Sequence, residues 1–213
     1  MEVTASGIPW NFSPVLDVAR DARWPRFWET FGEAPKLVSD MGVAMVKGYQ
    51  EGPSPIAATL KHYVGYSRPL TGKDRTPAWI PERQLRQIFI PPFAAAIDAG
   101  AASIMVNSGD VNGIPVHVDH HILTDILRDE LGFEGMVVTD WEDIKYLFSR
   151  HMVAADYKDA IDMAINAGID MSMVPTDLEF PVLLAELVRE GRVTEARMDE
   201  SVRRILSMKY DLG

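Results

Sequence analysis

The chain contains no cysteine in 213 residues, which excludes disulfide bridges and thiolate metal sites and leaves the redox compartment unmarked. Cations are scarce as well: 21 Lys and Arg stand against 31 Asp and Glu, a formal charge of −10. A nucleic-acid surface needs clustered Lys and Arg to release counterions from phosphate; none is clustered here, so nucleic acid is not an expected partner. The N-terminus lacks a basic patch followed by an apolar stretch, and no apolar run approaches the ~20 residues that span a bilayer, so no membrane partner is expected. Neither G-x-G-x-x-G nor a Walker loop occurs, and no cofactor is expected.

What is present is 47% apolar residues, enough at this length for one soluble unit with its own core. Short β-prone runs alternate with segments of helical period, the order of βα units around a parallel sheet. Strands are expected over 8–17, 57–60, 103–107, 135–140 and 169–172. Helices are expected over about 34–48, 81–99 with an interruption at Pro91-Pro92, 119–131, 156–167, 177–190 and 195–209. Residues 65–81, rich in Gly, Pro, Ser and Thr, read as a long surface loop. Residues 108–113 read as a turn-forming loop. Five strands, four of them ending in a polar residue or loop, predict an α/β fold: a (β/α)₈ TIM-type barrel that is incomplete, with about five of eight strands. An open doubly wound sheet is disfavoured because a phosphate-binding glycine loop is missing.

Chemistry-bearing residues gather at the predicted strand tips. Asp140 in Val137-Val138-Thr139-Asp140-Trp141 is placed to attack an anomeric carbon or to stabilise an oxocarbenium ion, with Trp141 packing a sugar ring. The competing reading makes Asp140 an N-cap for a following helix. Lys61-His62 forms a second tip pair that would orient sugar hydroxyls and lower a nearby carboxylate's pKa; otherwise His62 is a satisfied semi-buried histidine and Lys61 a surface charge. The segment 23–33 holds four aromatics and four charges, a composition suited to stacking on pyranose faces with Arg donating paired hydrogen bonds. An aromatic-anchored Ω-loop, with Trp24 or Trp28 as the anchor, explains it equally. His117-Val118-Asp119-His120-His121 invites a metal, but Asp119 is better placed as an N-cap and the two following histidines fall on different helix faces, so no metal is expected. The abundant methionines read as core.

Taken in order, Pro14-Val15-Leu16-Asp17-Val18-Ala19-Arg20-Asp21-Ala22-Arg23-Trp24, Arg26, Glu29-Thr30-Phe31-Gly32-Glu33, Lys61-His62-Tyr63, Ile104-Met105-Val106 with Asn112-Gly113, and Gly132-Phe133-Glu134-Gly135 running into Val137-Val138-Thr139-Asp140-Trp141 resemble glycoside hydrolase family 3, the β-glucosidase family. The likeness covers nearly the whole chain. It implies that residues 1–213 are part of the family's N-terminal barrel domain, with the opening strands and the C-terminal α/β sandwich domain outside them. It implies Asp140 as the nucleophile of a retaining β-glucosidase acting on a β-glucoside or oligosaccharide. Arg26, Lys61 and His62 would bind hydroxyls of the −1 sugar, and Trp141 would wall that subsite. In most members the acid/base comes from the following sandwich domain, and the loop after Lys61-His62 lacks the His and Asp that single-domain β-N-acetylglucosaminidases place there. Pro25 stands where the family has Gly, and Asn107-Ser108 where Tyr is frequent. Members are often secreted or periplasmic, with any export signal upstream of Met1. A non-catalytic sugar-binding barrel and a metal-dependent barrel hydrolase using His117, Asp119 and His120 stay open as alternatives.

Overall fold

The computed structural model describes residues 2–176 and 178–213. Strands β1 (Trp10–Asn11), β2 (Ala57–Tyr63) and β3 (Ser103–Val106) are followed by an antiparallel hairpin of β4 (Asp110–Val111) and β5 (Ile114–Pro115), then by β6 (Met136–Trp141) and β7 (Met171–Met173). Five of them form one parallel sheet in the order β1-β2-β3-β6-β7. Helices α1 (Glu2–Ala5), α2 (Pro35–Gln50), α3 (Glu82–Gln84) and α4 (Pro91–Asp98) precede β3. A wide-turned helix at His121–Glu130, α5 (Asp143–Ser149), α6 (Tyr157–Ala167), α7 (Glu179–Arg189) and α8 (Glu195–Asp211) follow the hairpin. Strand order that follows chain order, with helical returns between parallel neighbours, makes a curled half-barrel.

Local chemistry explains where the elements stop. The first strand is far shorter than the expected 8–17, because Pro9 and Pro14 flank it and proline cannot donate to a ladder; beyond it only Val15 makes a bridge, to Lys61. The expected helix over 81–99 breaks as anticipated, into α3, a wide turn at Leu85–Phe89, and α4 with Pro91 at its first turn. The expected turn-forming loop 108–113 holds at both ends, with only Asp110 and Val111 in strand: Asn112 (φ 55) and Gly113 (φ 87) take the left-handed conformations of a two-residue hairpin turn between β4 and β5. Helix α6 is capped by the Asp156 carboxylate on Asp159 N–H, and α8 by Thr194 on Arg197 N–H. Of the expected helix 177–190, residue 177 lies outside the described residues. Helix α5 lies outside the expected helices and corresponds only to the helix that the N-cap alternative for Asp140 implies.

The sheet is covered on both faces. On the outer face Leu60, Ile104, Val106 and Val137 pack with Val38, Phe93, Leu123, Ile126 and Ile161 from the helices, all buried. On the inner face Met105, Met136 and Val138 meet Trp10, Met171, Met173 and, from α8, Ile205 and Met208. Five methionines thus line the inner face, Met105 and Met136 buried and Met171, Met173 and Met208 half-buried, whereas Met41 and Met152 are exposed, so the reading of the methionines as core holds in part. Gly135 permits the close entry into β6: a Cβ there would lie 2.4 Å from the Ala102 carbonyl oxygen.

Candidate active site

Every strand-tip residue singled out from the sequence comes to the C-terminal edge of the sheet. Asp140 is the fifth residue of β6 and His62 the sixth of β2. The β2–β3 register shifts between Leu60 and Tyr63, and Lys61 is half-buried close enough to feel the charges of Arg26, Glu29, Asp140 and Asp17. An irregular register of this kind lets neighbouring residues serve one pocket despite the alternation of a regular strand. Burial, then the charge of Arg26, holds the Lys61 amine below its ordinary range.

Asp140 keeps 14% of its side chain exposed. Its Oδ1 accepts from the Trp141 backbone N–H at 2.6 Å and its Oδ2 from Ser108 Oγ at 3.1 Å. His62 Nε2 stands 3.8 Å from Oδ2, and Arg75 Nη2 3.5 Å from Oδ1. Burial pushes the carboxyl up, but the Trp141 N–H, His62, Arg75 and Ser108 together outweigh it and hold Asp140 below the usual carboxylate range. The N-cap alternative does not describe this residue: α5 begins after Glu142, which adopts φ 56, and Asp140 bonds its own neighbour instead of the helix. Trp141 is half exposed beside it.

His62 is oriented by Asp17, a buried carboxylate whose Oδ2 accepts from both His62 Nδ1 (2.8 Å) and His62 N–H (3.1 Å). Arg26 pairs with both oxygens of Glu29 at 2.7 and 2.8 Å and lies over the Tyr66 ring, 5.6 Å from its centroid. Tyr66 also meets His62 and Trp24 edge-on at 4.7 and 5.2 Å. Trp24 is buried and donates to Asp74 at 3.0 Å, whereas Trp28 is 89% exposed. Trp24 thus anchors the segment, which sets Arg26 over Tyr66, a ring that also meets His62.

Residues 65–81 do not form a mere surface loop. Gly65 (φ 83) turns the chain out of β2 at a point where a Cβ would strike Ile80 Cδ1 at 2.8 Å. Tyr66, Ser67, Ala78 and Ile80 are buried, and Arg75 is carried to Asp140. The composition hides this because the buried residues follow no helical or strand period and lie among Gly, Pro, Ser and Thr. Asp17, Ser108 and Asp143 also escaped assignment, although Asp17 follows a strand-like run as Asp140 does. Asp143 Oδ1 accepts from Arg75 Nη1 at 3.2 Å.

The histidine run diverges. His117 is buried with Nε2 3.6 Å from Asp143 Oδ2. His120 and His121 are exposed and each meets a different oxygen of Asp125, at 3.2 and 3.0 Å. Asp119 caps the helix through Ile122 N–H. Among the described residues no three His, Asp or Glu are grouped to hold a metal ion.

The sequence profile described as "Glycosyl hydrolase family 3 N terminal domain" matches residues 1–208. The chain is 54% identical to the lysosomal beta glucosidase of Dictyostelium discoideum and 39% identical to the periplasmic beta-glucosidase of Salmonella typhimurium, matching over its whole length but over only 27% and 28% of theirs. A beta-xylosidase of Formosa agariphila is 38% identical over the whole chain and 31% of that protein. The solved beta-glucosidase of Erythrobacter marinus superposes with a TM-score of 0.94 at 36% identity, covering 100% of this chain and 29% of that one. The Listeria innocua beta-glucosidase in complex with glucose gives 0.93 at 35% identity, covering 99% and 30%. In the described residues no helix is long and apolar enough to cross a membrane. By the profile match across almost every residue and the fold shared with solved beta-glucosidases, this chain belongs to glycoside hydrolase family 3, as part of its N-terminal domain.

Proposed function

We propose that the chain carries the nucleophile and −1 subsite of a retaining β-glucosidase that removes terminal non-reducing β-D-glucosyl residues. The observation that supports this most is Asp140: a partly exposed carboxylate at a strand tip, kept ionised by its neighbours, with Lys61, His62 and Trp141 around it. In this reading Arg26, Lys61 and His62 donate to sugar hydroxyls and Trp141 walls the ring. An Asp140 oxygen attacks C1 as the bond from C1 to the aglycone oxygen breaks, and that oxygen takes a proton from a general acid. The conjugate base then removes a proton from water as it attacks C1, the ester to Asp140 breaks, and glucose leaves with its configuration retained.

Asp143 is a poor proton donor for this step because its side chain is 2% exposed and turned to Arg75. The acid/base is instead assigned to the domain that follows the barrel in most family members. The test is the intact mass of the full natural polypeptide after incubation with an activated 2-deoxy-2-fluoro-β-glucoside, with Asp140→Ala alongside. One glycosyl adduct, mapped to Asp140 and missing from the folded variant, is expected. A folded wild-type protein that takes no adduct, or takes it elsewhere, overturns the reading.

A further inference from the structure

Arg75 belongs to a loop whose composition marks it as a connection, yet it is built in with unusual care. Its φ of 54 lies in the left-handed region, where a non-glycine residue persists only if its surroundings hold it. Those surroundings are present. Asp74 is fixed by Trp24 Nε1 at 3.0 Å, the Arg150 guanidinium donates to the Arg75 carbonyl oxygen, and the Thr71 and Thr76 hydroxyls bond each other at 2.8 Å. The held guanidinium spans two carboxylates, Asp140 Oδ1 at 3.5 Å and Asp143 Oδ1 at 3.2 Å.

We propose that Arg75, anchored by Asp143, is a positioning residue that keeps Asp140 aimed and ionised, a role outside the sugar-binding set. This rests on reading Asp140 as the nucleophile. The groups facing Asp140 are His62 and Lys61 from β2, Ser108 after β3, the Trp141 N–H from β6 itself, Asp143 and, further off, His117. Lys61 is shared with Glu29 and Asp17, and His62 is bonded to Asp17, whereas Arg75 divides its contacts between Asp140 and Asp143, the closer of the two. Asp143 is suited to the anchor's part. Its Oδ2 and His117 Nε2 are buried without hydrogen-bond partners, and burial drives the Asp143 carboxyl up to about 7 and the His117 imidazole down to about 3. Through the acid range Asp143 therefore holds Arg75 as a neutral acceptor and leaves the guanidinium charge to Asp140.

The experiment is the pH dependence of covalent labelling by 2,4-dinitrophenyl 2-deoxy-2-fluoro-β-glucoside, in the full natural polypeptide. This leaving group departs without a proton, so the acid limb reports ionisation of the nucleophile alone. Arg75→Gln is expected to move that limb up by about one pH unit, the lower end for removing an opposite charge at this distance, and Arg75→Lys to bring it part of the way back. Should Arg75→Gln not fold, Asp143→Ala reads the same coupling from the other end, since an unanchored guanidinium leaves Asp140 and the limb moves in the same direction. A merely structural role would slow labelling without moving the limb. A wild-type protein labelled at Asp140, with the limb unmoved in the folded variant, overturns this inference alone. A wild-type protein that takes no label at Asp140 overturns the nucleophile reading and this inference with it.

Discussion

Two carboxylates, at opposite ends of the same sheet, are treated in opposite ways. Asp170, just before β7, is saturated: its Oδ1 accepts from Ser201 at 2.8 Å and Arg204 at 2.9 Å with Arg197 at 3.3 Å, and its Oδ2 from Arg128 at 2.8 Å and Val137 N–H at 2.9 Å. Nothing of its side chain is exposed. Asp140, at the other end, is held by two hydrogen bonds, with His62 and Arg75 standing off at 3.8 and 3.5 Å, and it stays open to solvent. The lesson is one of direction. At the N-terminal ends of the strands the carboxylate is a staple, tying α8 and the His121–Glu130 helix to the sheet; at the C-terminal ends, where barrels do chemistry, it is left with fewer bonds and open to solvent.

This contrast breaks or sharpens under substitution. The sharpest case is Asp140→Ala, expected to reduce kcat/KM for an aryl β-glucoside by at least ~10⁴-fold, as removing a covalent nucleophile does, with the thermal midpoint nearly unchanged. If turnover survives, the two ends are not functionally distinct. Asp170→Asn should do the reverse, stranding buried guanidiniums without compensation. We expect about 3–5 kcal/mol of lost stability by denaturant titration, with any protein that still folds labelled normally. Asp17→Asn removes a charge-assisted bond from His62 and should cost about 1.5–3 kcal/mol of transition-state stabilisation, roughly a 10- to 100-fold drop in kcat/KM. A change in stability alone would move Asp17 to the structural side of the divide.

The last case concerns Asp143, a buried carboxylate whose Oδ2 has no hydrogen-bond partner. Burial raises its folded-state pKa to about 7, from 3.8. Between those values the native state holds a proton that the unfolded chain has lost, so stability from this group falls as pH rises through that window. The slope is at most about 1.4 kcal/mol per pH unit. Asp143→Asn should flatten this part of the stability curve and leave the protein relatively more stable above pH 7; equal slopes for both proteins would show that Asp143 ionises freely.

Legibility in the sequence followed periodicity. Val137-Val138-Thr139-Asp140 announces a buried strand with a carboxylate at its tip, because a strand covered on both faces must be apolar throughout and its first polar residue marks the exit. Asp140, Lys61, His62 and Trp141 could be read that way, and Arg26 through the motif around it. Arg75 and Asp143 could not. Arg75 reaches Asp140 across 65 positions through a loop with no repeat, and Asp143 lies in the short helix α5, whose seven residues offer too few turns for a pattern. Asp170, expected inside a strand over 169–172, lies just before β7, at the N-terminal end of the sheet.

The sequence by itself determined the alternation of strand and helix, the parallel half-barrel and the identity of the strand-tip residues, since these depend on local periodicity and on where an apolar run ends. Only the tertiary structure decided which charges meet: that Asp17 orients His62, that Arg75 spans Asp140 and Asp143, and that three arginines close on Asp170. Such pairings join segments far apart in the chain, and their energies depend on burial and on distances of a few ångströms, which no spacing along the sequence encodes.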